Sequence, residues 1–393
     1  MPTLTQSITG IQGRPLEGRR IAACLHVTKE TSVLIRGLKT LGAEVALAAA
    51  NPLSTQDEIA AFLASDGIQV YAWRGESPED YQECIRRILA SRPEIIIDDG
   101  SDAHVTVHAA EEFHDLNPLG GTEETTTGVT RLRALEQSGK LRYPLIAVNN
   151  ASTKFLFDNR YGTGQSTFDG LLRATSLLIA GKRVIVCGYG WVGRGIALRG
   201  RGLGALVYVT EVDPLRALEA RMDGFEVTTM EKAARIGDIF VTATGQINVI
   251  ALRHLEQMRD GVIVANAGHF DVEIDVRGLE AQAGAAGRKL VRPNLEEFTL
   301  KNGRRIYLVG RGRIANLVAA EGHPPEVMAL SFSNQLLSAV YLARNYRTLE
   351  RKIYGVPLEI DRQVASNTLE ALEIEIDAPT EEQQQYARSW AKE

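Results

Sequence analysis

The sequence predicts an α/β protein made of two doubly wound, Rossmann-like units, and three observations carry that expectation. A β-branched apolar run, Arg183 to Cys187, leads straight into Gly188, Gly190 and Gly193, spaced as GxGxxG. Residues 1 to about 150 alternate strand-like apolar runs with stretches of helical length. Polar side chains cluster just beyond the ends of those runs, where open α/β sheets hold ligands.

In the first unit, strands are expected at Arg20–Cys24, Glu44–Ala48, Gln69–Ala72, Ile95–Asp98 and Pro144–Val148. Helices fall between them, among them Thr28–Leu41, Thr55–Ser65 and Pro78–Ala90. His26 and Thr28 follow the first strand, and Ser54, Thr55 and Gln56 follow the second. Asp99 follows the fourth; Asn149 and Asn150 follow the last, with Lys154 shortly after. Four such groups at equivalent strand ends indicate a pocket rather than loop chemistry. In DDGSD, acids at a strand end are commonly helix N-caps; Asp102 reads so for a helix starting at Ala103, whereas Asp99 is less well explained that way. Gly120 to Val129, GGTEETTTGV, is a poor core segment; capping a helix from about Gly128 is its alternative reading. Lys154 and Asp158 stand four apart and pair on a helix, a spacing that usually means a surface pair, but the intervening Phe155, Leu156 and Phe157 argue for burial. Burial lowers a lysine pKa and a carboxylate neighbour raises it.

The chain crosses into the second unit on a helix expected at about Thr167–Ala180. Gly188 permits the tight turn, Gly190 lets a pyrophosphate approach the backbone, and Gly193 lets the following helix pack on the strand. That helix runs from about Trp191 to Leu203, so Trp191 and Val192 stand at its N-terminus, facing the cofactor's negative charge. A strand at Leu206–Thr210 ends on Glu211, 18 positions after Gly193. An acid there bonds both ribose hydroxyls and repels a 2′-phosphate, so the cofactor reads as NAD. Chance alone supplies roughly 0.3 such glycine matches in a chain of this composition, so the surrounding strand, helix and acid carry the inference. Further strands are expected near Phe225–Thr228, Asp238–Thr242, Val262–Ala265, Lys289–Val291 and Ile306–Val309. Thr244 and Gly245 lie past one strand end and Asn266 to His269 past another; residues 271 to 276 alternate like an exposed strand. GRGRIA from Gly310 is a second glycine pattern, but Pro324 and Pro325 leave it no following βα unit. From Glu326 to about Arg351 the pattern is helical and packs back on the first unit; the tail from Pro379 reads as a polar helix. The expected division is 1–160 with 322–372, then 161–321, then a tail at 373–393.

At 44% hydrophobic and 24% charged, with a net charge of −5, the chain has the composition of a soluble globular protein with no basic stripe for nucleic acid or anionic membrane. Cys24, Cys84 and Cys187 are scattered through apolar runs and form no CxxC, which points to a reducing compartment. The N-terminus has no apolar h-region and no run reaches membrane-spanning length, so a cytoplasmic protein is expected. His104 and His108 are four apart, but without the Glu of HExxH they read as a solvated helix face, and no metal is expected.

These polar segments, taken together, resemble one family, the S-adenosyl-L-homocysteine hydrolases. The matching segments are LHVTKET from Leu25, STQD from Ser54, DDG from Asp98, EETTTGV from Glu123 and KFLFDNRYG from Lys154. They continue with CGYGWVGRG from Cys187, TEVDP from Thr210, GHFDVEID from Gly268, LKNGRRI from Leu300, the Asn316 stretch and GHP from Gly322. They cover nearly the whole length in order. The resemblance implies a thioether hydrolase that oxidises the ribose 3′-carbon with NAD, acidifies the C4′ hydrogen, expels homocysteine, adds water and returns the hydride. By the same resemblance Glu124, Lys154 and Asp158 hold and deprotonate the ribose hydroxyls, with Lys154 as the base. His26, Asp99 and His269 form the acid–base group at C4′ and C5′. Thr28, Glu30 and His323 are purine-side contacts, Gln56 is linked to a monovalent cation, and His269 with Phe270 is a gate. Thr125, Thr126, Thr127, Asn159, Glu211 and Asn316 lie on the cofactor side. The family pattern also implies two closing domains and a homotetramer.

The chain departs from that pattern at Glu321, where many members have Met; at Thr163, a common Cys; and at Arg216, a common Asn. The C-terminal Lys and Tyr of longer members are missing, as in the shorter archaeal and bacterial branch. S-inosylhomocysteine is therefore an alternative substrate. An ordinary NAD dehydrogenase, and a silent NAD-binding relative, are the other readings. A dehydrogenase accumulates NADH, whereas the hydrolase releases thiol with none.

Overall fold

Strand β1 (Arg20–Leu25) buries every residue but its first, as a strand covered on both faces must. In this computed structural model, which describes residues 1–390, it lies inside a seven-stranded parallel sheet. The other strands of that sheet are β2 (Glu44–Ala49), β3 (Gln69–Tyr71), β4 (Ile95–Asp98), β5 (Gly120–Glu123), β6 (Leu145–Ala147) and, from far later in the chain, β15 (Ile353–Gly355). Their order is β15-β6-β5-β4-β1-β2-β3. The second sheet has eight strands. It contains β7 (Arg183–Cys187), β8 (Leu206–Thr210), β9 (Glu226–Val227), β10 (Ile239–Thr242) and β11 (Val262–Asn266). It is completed by β12 (Arg288–Arg292), β13 (Leu295–Thr299) and β14 (Arg305–Val309), in the order β12-β13-β14-β11-β10-β7-β8-β9. From β14 to β9 its pairs are parallel; β12 and β13 add an antiparallel edge. Both sheets carry helices on their faces, as the sequence predicts.

The differences from expectation have local causes. β5 was not expected because its GGTE carries no apolar signal. A Cβ at Gly121 would overlap the His104 ring, and one at Gly120 would lie 2.7 Å from Leu342 Cδ2. The glycines are there because neighbours fill the side-chain space. His104 and His108 are correspondingly not on a solvated face. His104 is buried, with Nδ1 3.0 Å from Tyr143 Oη and Nε2 3.1 Å from the Thr122 carbonyl. Asp102 is not the cap of its helix: Ser101 occupies that position in a left-handed conformation, and Asp102 instead pairs with Arg131 at 2.7 Å. The crossing segment is wound as a π-helix over Phe155–Gly162 before the α-helix Thr163–Thr175, which therefore starts and ends earlier than expected. Residues 271–276 form no exposed strand; Ile274 makes one bridge to Ile250, and Glu273 is buried. β13 and β15 were also not expected from the sequence.

The helix Pro325–Asn345 returns to the first sheet, as expected. Its Leu330, Phe332, Leu336 and Leu342 join a core with Leu34, Ile97 and Ile146. The same helix buries a polar row, Ser331, Ser333, Asn334, Gln335 and Ser338. The helix Glu381–Arg388 is exposed throughout. No helix among the described residues is long and apolar enough to cross a membrane.

Candidate active site

The carboxyl ends of β1, β4 and β5 and those of β7, β8 and β10 open on one cavity of about 1170 Å³. It is lined by His26, Thr28, Glu30, Asp99, Glu124, Thr125, Thr126, Thr127, Lys154, Asp158, Asn159, His269, Asn316 and His323. From the glycine-rich side come Gly188, Gly190, Trp191, Val192, Glu211 and Thr244. Of the expected site residues, Gln56 and Gly193 lie outside this lining. The Gln56 Oε1 is buried without a hydrogen-bond partner. A Cβ at Gly193 would overlap the Gly188 carbonyl oxygen, so it serves the helix–strand contact.

On one wall Lys154 Nζ sits 2.5 Å from Asp158 Oδ2, 2.7 Å from Asn159 Oδ1 and 3.4 Å from Glu124 Oε1. The π-helical winding places Lys154, Asp158 and Asn159 on this one side. Burial pulls the Lys154 pKa down, but Asp158 and then Glu124 outweigh it and hold the ammonium above the usual lysine range. Burial likewise pushes Asp158 up, yet Lys154 and His323 win and hold it below the usual carboxylate range. Glu124 is raised, by burial above all. It accepts hydrogen bonds from the Ser331 hydroxyl and, at 2.5 Å, from Gln335 Nε2. His323 Nε2 faces Asn316 Nδ2 at 2.9 Å, so its Nδ1 carries the proton donated to Asp158.

Across the cavity, His26 and His269 flank Asp99, at 3.6 Å and 3.7 Å. Ser54 Oγ donates to the Asn51 carbonyl at 3.0 Å, so His26 Nδ1, 2.8 Å from the Ser54 Oγ, donates to that hydroxyl. His26 Nε2 is then a free lone pair facing Asp99. Burial lowers the His26 pKa to about 4, with Asp99 opposing, so the ring is neutral at neutral pH. His269 rests on Gly100, whose φ of +106° and missing Cβ make room for the ring.

The glycine-rich wall fits a dinucleotide. Nothing but Arg216 Nη1, at 3.9 Å, approaches the place of a Cβ on Gly190, leaving the backbone open to a phosphate. Glu211 is braced by the amides of Tyr189 and Val212, both at 2.7 Å, and of Asp213 at 3.1 Å. Asn316 Oδ1 is buried without a hydrogen-bond partner, a place for an amide donor of a ligand. Trp191 stacks on Phe155 at 5.0 Å. Thr126 and Asn159 both donate to Asn149 Oδ1, tying the threonine turn to the lysine wall.

Several supporting residues escaped the sequence. Glu273 accepts from the Thr244 and Gly245 amides at 3.0 and 2.8 Å and is raised by burial. Ser331 and Gln335 stand four apart, a helical spacing that pointed to one face but not to Glu124. Glu321 does not line the cavity. Lys29 and Arg173 hold it at the rim, so its departure from Met places no carboxylate in the pocket.

The family described as "S-adenosyl-L-homocysteine hydrolase" matches residues 1–119, and its "NAD binding domain" matches residues 159–322. The adenosylhomocysteinase of Sulfurisphaera tokodaii is 61% identical over 377 residues, covering 96% of this chain and 90% of its own. That of Aeropyrum pernix is 58% identical, covering 99% and 94%, and that of Aquifex aeolicus 56%, covering 96% and 90%. A dipicolinate synthase polypeptide from Bacillus halodurans shares the fold, with a TM-score of 0.51 at 17% identity over 84% of this chain and 99% of its own. The chain thus belongs to the S-adenosyl-L-homocysteine hydrolase family and carries that family's NAD-binding domain.

Proposed function

We propose that this chain hydrolyses S-adenosyl-L-homocysteine to adenosine and L-homocysteine, and that its two polar walls work in turn on one ribose. The observation that carries this reading is their placement. Lys154 with its two carboxylates, and His26–Asp99–His269, line the same cavity as the dinucleotide turn. The thioether carbon has no activating neighbour, so direct displacement by water is slow. A nicotinamide dinucleotide held at the Gly188–Gly190 turn and by Glu211 would supply reversible hydride acceptance at C3′, the chemistry that acidifies the C4′ hydrogen.

Glu124 and Asp158 receive the ribose hydroxyls. Hydrogen bonds from those hydroxyls spend the carboxylate lone pairs that hold Lys154 charged. Burial is the influence that favours the neutral amine, the form of Lys154 that takes the 3′-hydroxyl proton. His323 keeps Asp158 oriented. Neutral His26, its Nε2 free, takes part with Asp99 in removing the C4′ proton. His269 completes the group that protonates the departing sulfur and activates the water that replaces it. Thr28, Glu30 and His323 form the purine side. The remaining residues toward the cofactor are Thr125, Thr126, Thr127, Asn159, Gly188, Gly190, Trp191, Val192, Glu211, Thr244 and Asn316. We further place the protein in the cytoplasm, in one-carbon metabolism, as a homotetramer; the three buried free thiols agree with a reducing compartment.

The test is thiol release from S-adenosyl- and S-inosylhomocysteine, with the near-ultraviolet absorbance of reduced nicotinamide followed alongside. Free thiol without net reduced cofactor is expected, whereas steady accumulation of NADH makes the chain a dehydrogenase. Lys154→Met is expected to lose about 100-fold or more in rate while still binding NAD. Normal turnover of that variant removes Lys154 as the base.

A further inference from the structure

We infer that Glu123, which touches neither the cavity nor any expected ligand, is a positioning residue that locks the catalytic Asp99–Gly100 turn and the Thr125 cofactor turn to each other. This rests on the hydrolase reading above. Glu123 ends β5 and is buried. Its Oε1 accepts from the Gly100 amide and the Thr125 amide, each at 2.9 Å, and its Oε2 from Ser101 Oγ at 2.7 Å. One carboxylate therefore joins two loops from different strand ends.

The turn it holds is one the chain would not keep alone. Gly100 has φ +106° and the buried Ser101 has φ +67°, two left-handed residues in succession. Such backbone persists only where its surroundings over-determine it. Gly100 is gripped from below by Glu123 and carries the His269 ring above it, where a Cβ would overlap the imidazole. Asp99, the preceding residue, faces both histidines. Glu123 thus fixes the height of the platform on which His269 meets Asp99. Gly128 supplies an independent sign that the carboxylate's place is reserved. A Cβ at that helical position would overlap Glu123 itself.

Glu123→Gln keeps an oxygen for both amides and can donate to Ser101 Oγ; Glu123→Leu keeps volume and loses every acceptor. Each is measured as the NAD-loaded protein for thiol release, KM, bound NAD per chain and the steady-state level of reduced nicotinamide. In Glu123→Leu we expect kcat per NAD-loaded site to fall about 100-fold, the loss typical of a 1 Å misplacement, with KM changed by less than about threefold. Reduced nicotinamide should build up during turnover, because the step served by Asp99 and His269 lags behind oxidation. Glu123→Gln should stay within about threefold of the parent in kcat, since the acceptor geometry survives. A loss explained by unfolded or NAD-free protein alone moves neither kcat per loaded site nor the reduced fraction, and overturns the inference. So do a parent-like Glu123→Leu and a Glu123→Gln as impaired as Glu123→Leu. If Glu123→Leu does not fold, Gly128→Ala decides by pushing the carboxylate aside. About a tenfold fall in kcat with reduced nicotinamide accumulating supports the role, and parent-like turnover refutes it. Should the parent release no thiol at all, the hydrolase reading fails first, and that outcome is separate from every result above.

Discussion

His26 shows how one residue's surroundings decide its chemistry. Its Nδ1 is committed to Ser54, its ring is buried, and its pKa falls to about 4. In the role proposed for it, the neutral imidazole is therefore present at neutral pH and is lost only as pH falls through about 4. The acid limb of kcat/KM for thiol release is expected well below the usual histidine value of about 6.5; a limb at or above that value assigns the base elsewhere. Stability follows the same sign. The unfolded chain protonates His26 at its ordinary pKa while the native chain does so only near 4, so between those values the native state loses ground as pH drops. His104, lowered by burial to about 3, adds to that trend. Asp98, raised by burial to about 7, opposes it, since its contribution is lost as pH rises through about 7. At this scale the sequence was informative about which residues line the site, because Asp99 and Lys154 had no good packing explanation. It was silent on protonation. Burial and two carboxylates pull Lys154 opposite ways, and only distances of 2.5 and 3.4 Å show that the carboxylates prevail.

At the scale of elements, the strands rich in β-branched residues were legible and those built for contact were not. β7 and β11 announce themselves; β5 does not, because its glycines exist to admit His104 and Leu342. The π-helix Phe155–Gly162 was equally hidden. It is set by what it meets: a Cβ on Gly195, in the helix after the glycine turn, would overlap the Arg160 carbonyl oxygen. Gly164 approaches Gly195 from the same side, its Cβ position 2.6 Å from the Gly195 oxygen. Two backbones thus touch where the lysine wall joins the nucleotide unit. Gly195→Ala is expected to cost about 1–3 kcal/mol by overpacking, read as a lower denaturation midpoint, and to weaken NAD binding through the displaced Asn159. An unchanged midpoint would show that this approach is looser than described.

Across the whole molecule, the cavity takes its walls from both sheets, so a ligand spanning it ties them together. NAD is expected to stabilise the folded chain by about 2.7 kcal/mol at a hundredfold excess over Kd, read as a concentration-dependent rise in the thermal midpoint. Stripping it on charcoal should reverse the gain; a midpoint indifferent to NAD would contradict a cofactor seated across the cavity. The two-unit plan was legible because repeating βα patterns persist over long windows. The return of the chain was only half legible. The helical pattern after Glu326 was plain, but nothing in Ile353–Gly355 marks an edge strand that pairs with β6 far earlier in sequence.

The helix Pro325–Asn345 and β15 complete the first sheet, although everything from β7 to β14 separates them from its earlier strands. A nascent chain leaves the ribosome in order, so the nucleotide half has all its strands while the half begun first still lacks a helix and a rim. Glu124 waits for Ser331 and Gln335 during that interval. The sheet begun first therefore cannot gain its last strand until the whole nucleotide half has been made.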